Sequence, residues 1–188
     1  MKKSNKFFNQ YFRSLNDLVK NTNIEELNRY FSLFNKVKKK KSKILIFGNG
    51  AGAAIASHVA TDFTKNAKVT AMSFDSSTYL TCLANDYGYE NTVTKIISHH
   101  YKKDDLVILL SASGNSLNMV KAAKYCKTKS INFLSITGFL KKNKLNQVSK
   151  NKIWIDSKSW NLIEILQLTI LLSFVDKIIG KIIYKKVI

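Results

Sequence analysis

A chain of 188 residues, 45% hydrophobic and 23% charged, can bury one substantial core, which argues against a largely disordered protein and for one globular domain with helical additions. Its 31 Lys and Arg against 12 Asp and Glu give a formal charge of +19, yet only Arg13 and Arg29 are arginines. Base readout and bidentate phosphate gripping favour arginine, so this charge speaks against a specific nucleic-acid partner and for a general attraction of anionic metabolites.

Taken in chain order, the apolar spacing predicts two amphipathic helices between residues 5 and 36. They carry Phe7, Tyr11, Leu15 and Leu18, then Ile24, Leu27, Tyr30, Phe31 and Phe34, with Asn23 capping the second and Glu25 and Glu26 in its first turn. The basic start lacks a following apolar run, so no secretory signal is expected and the protein is placed in the cytoplasm. The pattern then shortens to strands at 43–47, 68–74, 105–110, 130–136 and 152–155. Helices are predicted between them at 53–65, 78–84, 90–99, 117–127 and 140–148. Strands alternating with helices at this spacing imply an α/β fold, a parallel sheet covered on both faces. A last helix from Trp160 to about Tyr184 is apolar on nearly every side, but Glu164, Gln167, Asp176 and Lys177 interrupt it too often for a membrane span. Burial between subunits is the expected fate of that helix. The chain thus divides into an N-terminal helical segment (1–40), an α/β core (41–158) and a C-terminal helix (159–188).

Two turns carry the chemistry. Gly48-Asn49-Gly50-Ala51-Gly52-Ala53 follows the first strand, and Ser111-Ala112-Ser113-Gly114-Asn115-Ser116 follows the third. A buried strand that ends in glycines or hydroxyls and opens a helix gathers unpaired N–H groups, and in the second case three hydroxyls, around one point. That arrangement suits a phosphate, and in an open parallel sheet the ligand lies beyond the carboxyl ends of the strands. The first turn is GxGxG without a following lysine, so it is neither a dinucleotide fingerprint nor a P-loop. His58 and Asp62 stand four residues apart on one predicted helix face, a spacing that can bind zinc and can equally be a surface hydrogen bond. His99 and His100 are read as helix-end residues interacting with the dipole, Trp154 and Trp160 as packing, and Cys82 and Cys126 as reduced, buried thiols.

The order Gly48-Asn49-Gly50, His58, Ala84-Asn85-Asp86-Tyr87-Gly88-Tyr89-Glu90, Ser111–Ser116 and Ile136-Thr137-Gly138 resembles the SIS (sugar isomerase) domain of the phosphoheptose isomerase family, over about residues 5–180. The resemblance implies a three-layer, flavodoxin-like sandwich with a five-stranded parallel sheet, assembled as a homotetramer with active sites shared between subunits. It also implies interconversion of sedoheptulose 7-phosphate and a heptose 7-phosphate, for the heptoses of surface polysaccharide (lipopolysaccharide or capsule). Carried over by position, Ser111, Ser113 and Ser116 bind phosphate, Asn49, Gly50 and Ala51 contact the sugar, and Asn85 and Asp86 complete the pocket. Asp62 takes the position of the family's carboxylate base, with His58 supporting it or a zinc ion.

The sequence also departs from that family. The glutamine and histidine that the family places on its last helix correspond to Ile163 and Leu171, so Glu164 and Gln167 are the nearest polar substitutes for the missing acid, and Ala112 replaces a threonine of the serine turn. Two functions therefore stand: an aldose–ketose isomerase using Asp62, His58 and Glu164 or Gln167, or a sugar-phosphate-binding protein without turnover.

Overall fold

The computed structural model describes the backbone of residues 2–182 and the side chains of residues 6–182; the predicted end of the last helix at Tyr184 lies outside them. Two helices, α1 (Lys2–Lys20) and α2 (Ile24–Lys40), lead into the alternation β1 (Ile44–Phe47), α3 (Ala51–Lys65), β2 (Ala71–Ser73), α4 (Ser77–Tyr87) and α5 (Thr92–His100), with a 3-10 turn (Tyr89–Asn91) between α4 and α5. It continues through β3 (Leu106–Ser111), α6 (Leu117–Thr128), β4 (Phe133–Thr137), α7 (Lys144–Val148), β5 (Asn151–Trp154) and α8 (Trp160–Ile179). Asn23 caps α2 as its position foretold, its Oδ1 accepting the Glu26 N–H at 2.9 Å.

The five strands form one parallel sheet in the order β2-β1-β3-β4-β5. Its residues are divided by the period of two that a pleated strand imposes. Ile44, Ile46, Leu106, Ile108, Leu110, Leu134 and Ile136 join a core with α2, α3 and α8. Leu45, Phe47, Val107, Leu109 and Phe133 join a second core with α5 and α6. Runs such as Leu106–Ser111 are buried on both faces, which is why they read as continuous rather than alternating. The predicted strand at 68–74 shortens to three residues, because Lys68 takes a left-handed φ of 56° and Thr64 Oγ1 binds the Ala71 N–H and carbonyl at the sheet edge.

The last helix is buried by its own chain, which corrects the expectation of burial between subunits. Phe174 packs on Phe34 of α2 with ring centroids 4.5 Å apart, and Phe34 stacks in turn on Phe63 of α3 at 5.5 Å. Only Trp160 at its start and the stripe Asn161, Ile165, Thr169, Ser173 and Lys177, one residue in four, are exposed. Among the described residues no helix is long and apolar enough to cross a membrane.

Candidate active site

β1 and β3 lie side by side at the centre, while their connections leave toward opposite edges of the sheet, to β2 and to β4. The crevice above their carboxyl ends is where an open α/β sheet receives a ligand, and both turns flank it. The first needs a glycine at its start: a Cβ on Gly48 would stand 2.2 Å from the backbone of Gly52. The second turns at Gly114, whose φ is +66° and whose absent Cβ would fall 2.1 Å from the Asn143 side chain.

Asn143 belongs to a buried network that fixes the serine turn from below. Its Oδ1 caps α7 through the Asn146 N–H at 2.9 Å, and its Nδ2 donates to Thr137 Oγ1 at 3.1 Å and to the Leu140 carbonyl at 2.8 Å. The Thr137 hydroxyl donates to Asn146 Oδ1 at 2.9 Å, and the Leu145 N–H donates to the Gly114 carbonyl at 2.9 Å. Buried polar groups satisfied this completely hold one geometry.

Within the turn, the Ser111 hydroxyl donates to Ser116 Oγ at 3.1 Å, and Ser113 Oγ accepts the Asn115 N–H at 3.1 Å. A hydroxyl has one hydrogen, so Ser111 spends its own inside the turn while those of Ser113 and Ser116 remain to be given. Ser111 is 5% exposed, and Ser113 and Ser116 are half-buried. Ser116 is the N-cap of α6 but makes no side-chain cap bond, and α3 opens after the uncapped Gly50. At α3 the Gly52 and Ala53 N–H groups are taken by the Asn49 and Gly50 carbonyls, so the crevice receives the hydroxyls, the positive dipole ends of both helices and the first N–H groups of α6, those of Leu117 and Asn118, a donor set suited to a dianion.

Beside the serine turn a cavity of about 100 Å³ is lined by Phe47, Asn49, Gly50, Ser73, Phe74, Tyr89 and Asn118, among others. Asn49 and Asn118 exchange reciprocal amide bonds of 3.1 and 2.8 Å, and the Tyr89 hydroxyl donates to Asn49 Oδ1 at 2.9 Å. Ala51 is exposed at the start of α3. Asn85 and Asp86 do not join this cavity. They sit exposed in the last turn of α4, bonded to each other at 3.0 Å. Glu90 anchors the adjacent turn, its carboxyl held below the usual range by a backbone N–H and then by Lys121, whose ammonium lies 3.3 Å away.

His58 and Asp62 do share a face of α3, with His58 Nε2 3.4 Å from Asp62 Oδ2 and the His58 side chain 54% exposed. Asp62 Oδ1 also accepts from Asn66 Nδ2 at 3.0 Å. Glu164 is half-buried on α8. Gln167 does not act as a free polar substitute: it is 1% exposed, and its Nε2 donates to the Ile136 carbonyl at 2.8 Å, tying α8 to the end of β4. Ile163 and Leu171 are both 0% exposed. Ile163 lies against Gly138, where a Cβ would come within 2.3 Å of it.

Within one chain this donor set does not complete the coordination of a zinc ion. A zinc site uses three or four protein ligands, whereas His58 and Asp62 supply two. No group of three or more His, Cys, Asp or Glu side chains gathers among the described residues.

The sequence assigns no role to Tyr89 or Asn118, although Tyr89 lies within the Ala84–Glu90 motif and Asn118 only two residues past Ser116. A buried carboxamide in the first turn of a helix is the signal that identifies it. Cys126 is buried, its thiol pushed up to about 12 by desolvation, but Cys82 is exposed, with Sγ 3.8 Å from Asp86 Oδ2, contrary to expectation. The sequence overlooked that α4 packs on the core mainly through Leu83 and leaves its neighbours in solvent.

The SIS domain family model matches residues 6–138. Phosphoheptose isomerase 2 of Campylobacter jejuni subsp. jejuni serotype O:2 is 35% identical over 128 residues, 64% of this chain and 59% of that protein. The phosphoheptose isomerase of Helicobacter pylori (strain P12) is 36% identical over 121 residues, 61% of this chain and 62% of that one. The chain thus matches about three-fifths of the length of these curated relatives. Among solved structures, phosphoheptose isomerase GmhA from Neisseria gonorrhoeae superposes with a TM-score of 0.84 at 22% identity, covering 94% of this chain and 98% of that one. The shared fold therefore includes α8, beyond the reach of the family model.

Proposed function

This chain belongs to the SIS domain family, and we propose that it is an aldose–ketose isomerase of the phosphoheptose isomerase kind, acting on sedoheptulose 7-phosphate or a close relative in the cytoplasm. The observation that carries this reading is the donor set at the β1/β3 switch point, where the free hydrogens of Ser113 and Ser116 meet the uncapped start of α6 beside the Asn49 carboxamide. Ser111, Ser113 and Ser116 form the phosphate turn, Ser111 by orienting Ser116. Asn49, Gly50 and Ala51 address the sugar. Moving a proton between adjacent carbons needs a base, and Asp62, with His58 at 3.4 Å, is assigned that role. Of the two polar substitutes on α8, Glu164 remains for the acid role, since Gln167 is spent on Ile136.

The same reading carries a homotetramer with shared sites, supplying heptose for surface polysaccharide. Asn85 and Asp86 support it, being exposed and outside their own chain's cavity, where a neighbouring subunit can use them. A solution mass of four chains is expected; a mass near 21.4 kDa would contradict shared sites.

One observation favours a second reading, a sugar-phosphate-binding protein without turnover: Ile163 and Leu171 are sealed into the core at the positions the family uses for metal and proton transfer. Solvent exchange separates the two. An isomerase incorporates deuterium from D2O at C1 or C2 of sedoheptulose 7-phosphate, and Asp62→Asn abolishes incorporation while leaving ligand-induced thermal stabilisation nearly intact. Stabilisation without any exchange in the wild type selects the binder, and exchange that survives Asp62→Asn removes that residue as the base.

A further inference from the structure

The polarity of the Asn49 network is set by a backbone group, and it runs one way. Asn118 sits in the first turn of α6, 3% exposed, and its Oδ1 accepts the Met119 N–H at 3.0 Å. A peptide N–H can only donate. The Asn118 oxygen must therefore face Met119, which turns its Nδ2 toward Asn49 Oδ1 at 2.8 Å, while the same Asn118 oxygen also receives Asn49 Nδ2 at 3.1 Å. Reversing the Asn49 carboxamide would set NH2 against NH2, and reversing both would set the Asn118 NH2 against the Met119 N–H. The Tyr89 hydroxyl then donates to the remaining lone pair of Asn49 Oδ1 at 2.9 Å. A carboxamide offers two lone pairs and two N–H groups. Asn49 has both lone pairs and one N–H occupied, and a single N–H is left at the cavity wall.

We propose that Tyr89 and Asn118 are positioning residues that hold the Asn49 carboxamide as a donor, so that the first turn recognises a sugar oxygen by its lone pair and not by its hydroxyl hydrogen. This rests on the sugar-phosphate reading above and adds to it a direction: the first turn presents its carboxamide as a donor. Such a site suits a carbonyl oxygen, or an oxygen on which negative charge develops, better than a hydroxyl that must itself donate. Neither residue need touch the ligand; each acts through Asn49.

Tyr89 is exposed and its hydroxyl can be removed without disturbing the core, so Tyr89→Phe is the primary variant. Dissociation constants of sedoheptulose 7-phosphate and of inorganic phosphate are measured for wild type, Tyr89→Phe, Asn49→Ala and the double variant. Loss of one orienting hydrogen bond is expected to weaken sedoheptulose 7-phosphate roughly three- to tenfold and to leave inorganic phosphate, held by the serine turn, unchanged. In the Asn49→Ala background the same substitution is expected to add nothing. An unchanged constant in Tyr89→Phe, or an equal loss with and without Asn49, would overturn the proposal. Wild-type protein that binds neither probe would overturn the sugar-phosphate reading itself, a result distinct from either.

Discussion

The two ends of the central sheet are both polar, and they differ in whether their polar groups are used up. At the amino end the buried Asp105 accepts the Lys43 N–H at 2.9 Å and the Lys102 N–H at 2.8 Å, and its second oxygen pairs with the Lys43 ammonium. At the carboxyl end the Ser113 and Ser116 hydrogens, one Asn49 N–H and the Leu117 and Asn118 N–H groups that open α6 have no acceptor within their turns. A half-buried donor without a partner is a cost unless water or a ligand meets it. The closed end holds the fold together, whereas the open end is available for binding.

Breaking the closed end should cause the largest effect. Asp105→Ala leaves the Lys43 ammonium and two N–H groups without their acceptor and is expected to cost about 3–5 kcal/mol in urea unfolding. Whatever protein remains folded should still be stabilised by sedoheptulose 7-phosphate, because the serine turn lies at the opposite end of β3. A variant that is stable but blind to the ligand would erase the distinction between the two ends.

A smaller effect, in pH, sharpens the comparison beside the cavity. His100 packs against Phe74 with ring centroids 4.8 Å apart and faces Tyr79, His99 and Lys43. Desolvation first, then the charges of His99 and Lys43, lowers its folded pKa below the usual value. The unfolded chain then takes up the proton first as pH falls below about 6.5, so stability decreases from there until the folded pKa is passed. Replacing His100 with Phe should flatten that part of the stability–pH curve and leave the curve above it unchanged; an unchanged acid limb would remove His100 from the account.

Much of this was legible in the sequence, for identifiable reasons. The strand run Leu106–Leu110 and the serine turn behind it announce themselves because a strand buried on both faces has no alternation to confuse, and the hydroxyls of the turn fall directly between that strand and the next helix. The helix pair at the N-terminus follows from spacing and from the Asn23 cap. Other features depended on tertiary neighbours. The burial of α8 within one chain depends on Phe34 and Phe174 meeting across 4.5 Å, and the loss of Gln167 as a reactive group depends on the Ile136 carbonyl lying opposite it. Likewise Asn143 reads as a plain loop residue until the Gly114 turn is folded over it.

The central claim is that the open end of the sheet grips a phosphate ester by Ser113 and Ser116, and 31P NMR of sedoheptulose 7-phosphate reads that contact directly. Titration with wild-type protein is predicted to shift or broaden the phosphorus resonance. The double variant Ser113→Ala, Ser116→Ala should weaken the effect at least about tenfold while remaining folded, at a cost of about 1–3 kcal/mol for the Ser111 hydroxyl left without its acceptor. A phosphorus signal perturbed equally by the wild type and the double variant would place the phosphate elsewhere and contradict the account.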